Sequence, residues 1–99
     1  MLNRTQVFEL IEAERAFQDT TYDPNQVLST GVTRGQRDLD VTPGLVMLDQ
    51  YVEKAKAEWA GQKGSSLKSL QQIAKVAAIA VRILERAGGS EELLQVGLR

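Results

Sequence analysis

The apolar positions of this chain fall into three helical runs separated by turn-forming stretches. The densest run is Ser66–Ala87, in which Leu67, Leu70, Ile73, Val76, Ala77, Ile79, Ala80, Val81, Ile83 and Leu84 cover most of a helix circumference. The one continuous polar strip on it passes through Gln71, Lys75, Arg82 and Arg86, with Ala78 in the gap. A helix apolar on nearly every side is normally buried on nearly every side. A chain of 99 residues cannot easily wrap one helix with its own mass, so neighbouring subunits are expected to complete the burial. This stretch is too short and too charged to cross a bilayer, which takes about 20 mainly apolar residues.

Two further helices are expected to pack on this central one. Val7, Leu10, Ile11 and Phe17 form an apolar face over residues 3–20, with Glu9, Glu12 and Arg15 pointing elsewhere and Asn3 or Thr5 capping the first turn. Glu12 and Arg15 are spaced to pair on its surface. Pro24 ends the run, because the residue before a proline is driven out of the helical region. Residues 42–60 begin with Thr42-Pro43, a hydroxyl cap followed by proline at the first helical position, and carry Leu45, Leu48, Val52, Ala55 and Trp59 at alternating spacings of three and four. Gly61 and Gly64 bracket a short turn and Ser65 or Ser66 caps the central helix, making the second and third helices an antiparallel hairpin. Gly88-Gly89 stops the central helix. Ser90-Glu91-Glu92 starts a short helix or tail (residues 90–99) whose Leu93, Leu94, Val96 and Leu98 dock on the hairpin or on a neighbour. Residues 21–41 lack a helical period and read either as a solvated linker or as a ligand-contacting loop. The expected fold is a single all-α domain: an N-terminal helix plus a helical hairpin, assembled as a helical oligomer.

Composition narrows the chemistry. Twelve basic against thirteen acidic residues give a net charge of −1, which argues against a general nucleic-acid binder. The chain has no Cys and no His, which excludes disulfide scaffolds, thiolate chemistry, the usual zinc sites and imidazole catalysis. No basic region followed by an apolar core opens the sequence, so a cytoplasmic location without membrane partners is expected. Gly31-Val32-Thr33-Arg34-Gly35 is not a phosphate loop, since no strand precedes it.

Glu14-Arg15-Ala16-Phe17-Gln18-Asp19 before a loop, spaced acids on the second helix ending in Glu58-Trp59-Ala60, and Leu84-Glu85-Arg86-Ala87-Gly88 closing an Ala-rich third helix occur in an order that resembles the small phage-encoded relatives of the MazG-like all-α nucleoside triphosphate pyrophosphohydrolases. The resemblance spans most of Val7–Gly88. It implies helices of paired subunits around a nucleotide, with carboxylates of an E-x-x-E and an E-x-x-D pattern holding magnesium against the phosphates. The functional weight of Glu14, Arg15 and Asp19 comes from this resemblance alone. Here the second helix offers Asp49, Glu53 and, further on, Glu58. The third has Gln71 or Gln72 in place of the family's Glu, and Lys75 in place of its metal-binding Asp. Magnesium needs anionic oxygen ligands, and an ammonium repels it by about 4 kcal/mol per unit charge at ~4 Å. No metal cluster, cofactor or catalytic residue is therefore expected.

The substitution also has a constructive side. Lys75 and Arg82 lie two turns apart on the polar strip and need partners. Either Asp49 and Glu53 pair with them, or an anionic ligand does, held by Lys75, Arg82, Arg34 and Arg37 with Arg15 and Glu53 in support. Tyr22 or Trp59 either stacks on a base or is plain core. Three functions follow. The first is a non-catalytic oligomeric protein holding a phosphorylated nucleotide-type molecule between helices, as in phage sponges that sequester bacterial defence signals in the host cytoplasm. The second is a MazG-like pyrophosphohydrolase using Asp49, Glu53 and Glu58, and the third a helical protein-interaction module.

Overall fold

The computed structural model describes residues 1–60, 67–88 and 91–97. It is all-helical among these: α1 (Arg4–Thr21), a single turn α2 (Arg34–Arg37), α3 (Val41–Ala60), α4 (Leu67–Ile83) continued by a π-helical turn Leu84–Gly88, and α5 (Glu91–Val96). The expected turn at Gly61, Gln62, Lys63 and Gly64, the cap at Ser65 or Ser66, and Gly89, Ser90 and Leu98 lie outside the described residues. No helix among the described residues is long and apolar enough to cross a membrane.

α4 is the element on which the others pack: α3 lies along one side and α1 along the other. The α3–α4 pairing is antiparallel. Gly44 meets Ile83 near one end, Tyr51 faces Lys75 in the middle, and the Ser69 hydroxyl donates to the Ala55 carbonyl (3.0 Å) at the other. At the first of these points a Cβ on residue 44 would sit 2.6 Å from the Ile83 side chain, so glycine is what lets the two helices close there.

Local caps set the starts of the elements. Asn3, one of the two expected caps, forms a reciprocal box with Gln6: its Oδ1 accepts from the Gln6 amide at 2.8 Å, and the Gln6 Oε1 accepts from the Asn3 amide at 2.9 Å. α3 starts one residue earlier than expected and is capped by Asp40, whose Oδ1 accepts from the Thr42 amide (2.9 Å). Thr42 is thus inside the first turn, where Pro43 loses no hydrogen bond because first-turn amides have no intrahelical partner.

Residues 23–40 are more structured than their aperiodic sequence implies. The Gln26 amide donates to the Asp23 carbonyl (3.1 Å), Val27 bridges Thr33, and the Gly35 amide returns to the Pro24 carbonyl at 2.8 Å. Gly31 adopts φ +89°, the left-handed conformation that closes the Leu28–Gly31 turn. Thr33 then caps α2 through a second box with Gln36. The T-x-x-Q spacing was the available sequence signal for this turn.

Three faces differ from expectation. On α1 the buried residues are Arg15 and Gln18, while Val7, Leu10 and Phe17 are exposed in the single chain. Arg15 therefore points inward, and it pairs with Asp19 and Glu85 instead of Glu12. On α3, Ala55 is buried and Leu48 half-buried as expected, but Leu45, Val52 and Trp59 are exposed; Met47, Tyr51 and Glu58 are half-buried in their stead. On α4 the polar strip turns inward at Lys75, Arg82 and Arg86, while Gln71 stays exposed. Arg82 is 7 % exposed, whereas Leu70, Ile73 and Leu84 are 48 %, 52 % and 55 % exposed. Where guanidinium groups do turn inward, each is matched by a carboxylate, Arg15 by Glu85 and Arg82 by Asp38, which offsets the cost of burying the charge. Among the described residues only Ala55, Ala78 and Ile79 are buried apolar side chains. In α5, Leu93 is half-buried and Leu94 and Val96 are exposed, so the tail does not dock fully on its own hairpin.

Candidate functional site

Two interior cations are neutralised by acids that the sequence reading did not assign to them. Arg82 Nη2 donates to Asp38 Oδ2, and both side chains are only 9 % exposed. Asp38 sits just after α2 and also accepts from Arg37 Nη2 at 3.1 Å, so the small folded loop exists in part to deliver this carboxylate to α4. Arg15 forms a fork with Glu85 in the π-turn, Nη2 to Oε2 at 2.7 Å and Nε to Oε1 at 3.2 Å, with Asp19 at 3.0 Å on the same helix.

The Arg15 pKa is raised above its ordinary value, chiefly by the hydrogen bond to Glu85 and then by the charges of Glu85 and Asp19, against the cost of burial. A cation with a raised folded pKa contributes its full stability below the unfolded pKa and loses it only as pH climbs through the folded one. The Arg15 clamp thus holds through the acidic and neutral range as far as this guanidinium is concerned. Because Glu85 is half-exposed, Glu85→Gln is expected to cost only about 1 kcal/mol, lowering Tm by roughly 4–8 °C. Thermal unfolding followed by circular dichroism checks this, and an unchanged Tm would show the fork to be idle.

Lys75 is different. It is half-buried on the inward side of α4 and forms no ion pair among the described residues. Its Nζ lies 6.0 Å from the centre of the Tyr51 ring, and Lys54 Nζ lies 4.4 Å from the same ring. Asp49 and Glu53 do not pair with Lys75 or Arg82 as one of the two sequence readings had it. Both acids are exposed, and Glu53 pairs instead with Lys56 at 3.2 Å.

Lys75 lies where two hollows meet. The inner one, about 50 Å³, lies between Gln18 of α1, Tyr22, Met47 and Tyr51 of α3, and Ile79 and Arg82 of α4. The outer one is an open groove of about 670 Å³ between α1 and α4, walled by Leu10, Phe17, Leu67, Leu70 and Ala74, with Gln71 as a further polar group. Lys75, Glu14 and Phe17 belong to both hollows. The groove is mainly apolar and carries both an ammonium, Lys75, and a carboxylate, Glu14, where it meets the inner hollow.

Of the residues singled out from sequence, Tyr22, Lys75 and Arg82 meet at the inner hollow. Arg34 stacks over the Tyr22 ring at 5.0 Å and donates to Gln26 at 2.7 Å, and Arg37 joins through Asp38. Arg15 lies behind the hollow, hydrogen-bonded to Gln18 at 3.4 Å. Glu53 and Trp59 stand apart: Trp59 lines a separate apolar groove between α3 and α4. Sequence reasoning missed Asp38, Glu85, Tyr51 and Lys54; the Tyr51–Lys54 spacing of three was the one signal for a shared helix face. No three carboxylates among the described residues converge in a way that could hold a metal ion, Asp49, Glu53, Glu58 and Glu14 included.

Comparison with protein-family models, with curated proteins and with solved structures gives no match.

Proposed function

We propose that this chain is a non-catalytic, oligomeric binding protein that holds a phosphorylated, nucleotide-type small molecule in the groove between α1 and α4. The observation that supports this reading is the unpaired charge of Lys75. Both interior guanidinium groups, Arg15 and Arg82, have a carboxylate within salt-bridge distance, whereas this ammonium has none among the described residues. An interior cation without a partner is costly, and an anion arriving in the groove supplies the partner. The hollow's volume lies in the range of small-molecule sites, and its apolar walls with Phe17 suit a base or ribose while Lys75 takes a phosphate oxygen. Lys54, whose Nζ lies 4.4 Å from the centre of the Tyr51 ring, adds to the local positive potential.

In this reading the chain is a relative of the MazG-like pyrophosphohydrolases whose metal-binding position has become Lys75. The biological setting that goes with it is a phage protein sequestering a phosphorylated signal of bacterial defence, in the host cytoplasm. Titration calorimetry at low salt against nucleoside mono-, di- and triphosphates and cyclic dinucleotides tests it. Binding of at least one phosphorylated compound, with no binding of the corresponding nucleoside, is expected. No heat and no thermal shift with any phosphorylated probe would sink it. Release of pyrophosphate from a nucleoside triphosphate with magnesium would replace it by the hydrolase reading.

A further inference from the structure

The inward turn of Lys75 and Arg82 leaves α4 with an outer face whose large apolar side chains stay about half exposed in the single chain. Leu70, Ile73, Ala77, Ala80 and Leu84 follow one another at spacings of three, four, three and four, the repeat of a helix seam. At about 100° per residue all five fall within one narrow sector, about half a turn from Lys75 and Arg82. The large members at either end are about half exposed, and no charged residue lies on the sector. Apolar grooves flank it on both sides, the 670 Å³ one against α1 and one of about 340 Å³ against α3, the latter lined by Val52, Trp59 and Ile73.

The size of the exposed surface says how much must be covered. The chain exposes 7490 Å² for a mass of 10.9 kDa, where a folded monomer of that mass exposes about 5,600 Å². The excess of about 1,900 Å² belongs to the whole chain, with exposed apolar side chains on α1 and α3 as well as α4, and exceeds the ~800 Å² each partner gives to a standard stable interface. The radius of gyration agrees, at 15.2 Å against about 13 Å for a compact chain of this length.

We propose that a second copy of this chain covers the outer face of α4, the two α4 helices crossing antiparallel about a two-fold axis near Ala77. The seam is self-complementary in that arrangement. Leu70 of one copy lies by Leu84 of the other, Ile73 lies opposite the small Ala80, and Ala77 faces its own equivalent, which permits close helix approach. Opposed helix dipoles favour the same orientation. This surface rests on the oligomeric part of the reading above; it shares Leu70 with the wall of the groove against α1, while Lys75 itself lies on the other side of the helix.

Sedimentation velocity at micromolar concentration is expected to give twice the chain mass or an even multiple of it. Ile73→Lys and Ala77→Glu, each placing a charge in the seam, are expected to halve that mass while helical circular dichroism persists; Leu94→Lys on exposed α5 is expected to leave it unchanged. Since the chain has no Cys, Ala77→Cys provides a clean probe, and mild oxidation is expected to cross-link most of it as a dimer even if a charged variant fails to fold. A monomeric wild type would overturn both the seam and the oligomeric reading. An oligomer that survives both charged variants, or whose Ala77→Cys form fails to cross-link, would overturn the seam alone.

Discussion

Asp38→Ala is expected to be the most damaging single substitution in the molecule. It leaves the Arg82 guanidinium, whose side chain is 9 % exposed, without its carboxylate partner, and frees Arg37 at the same time. Breaking a buried pair from one side typically costs about 3–5 kcal/mol, because the remaining charge is stranded where water cannot reach it. Against a total stability of about 5–15 kcal/mol, this is a large fraction of what holds the fold. A Tm lowered by some 12 °C or more in a scan of the purified variant is the expected reading. The double variant Asp38→Leu/Arg82→Met is expected to recover most of the loss, since a buried pair replaced on both sides by apolar groups is often neutral. If Asp38→Ala and the double variant were equally stable, Arg82 would not depend on Asp38, and the role given to the folded loop would fall.

Lys75→Met carries the opposite sign for stability and the largest expected effect on binding. The methionine keeps most of the length of the side chain, removes a half-buried charge that has no ion-pair partner among the described residues, and relieves its repulsion from Lys54 beside the same Tyr51 ring. The unliganded variant is therefore expected to be more stable than the wild type by roughly 0.5–2 kcal/mol. Binding of a phosphorylated ligand is expected to weaken by about 10- to 100-fold, the loss of one hydrogen bond between charged groups of about 1.5–3 kcal/mol. Denaturant midpoints and calorimetry on the same preparations measure both. A structural lysine would show the reverse, a destabilised fold with unaltered binding, so the pair of signs separates a ligand-holding role from a packing one.

The legible part of this chain was the part decided locally. α1, α3 and α4 follow from apolar residues at helical spacing; Asn3 is the cap of α1 as expected, and the expected Thr42 cap misses that of α3, Asp40, by two residues. The central place of α4 follows too, because a helix apolar on most of its circumference must attract more than one neighbour. Lys75 was legible as an exception to that apolar surround, and its position at the meeting of two hollows accords with it. The one-turn α2 was readable from Thr33-x-x-Gln36, yet its aperiodic surroundings hid it.

What sequence could not determine was which side of each helix turns inward. Hydrophobic periodicity assigns the apolar side of α1 to the core, and it assigns Arg15 to solvent. The tertiary structure reverses this, because Arg15 meets Glu85 seventy residues away and Arg82 meets Asp38 across forty-four. An ion pair depends on where two distant segments come together, and no spacing within one helix encodes that meeting. Local pattern determined the helices and the polar strip; only the packing of α1, α3 and the loop before α3 against α4 decided which guanidinium groups are neutralised, which ammonium has no carboxylate among the described residues, and which apolar side chains stay exposed.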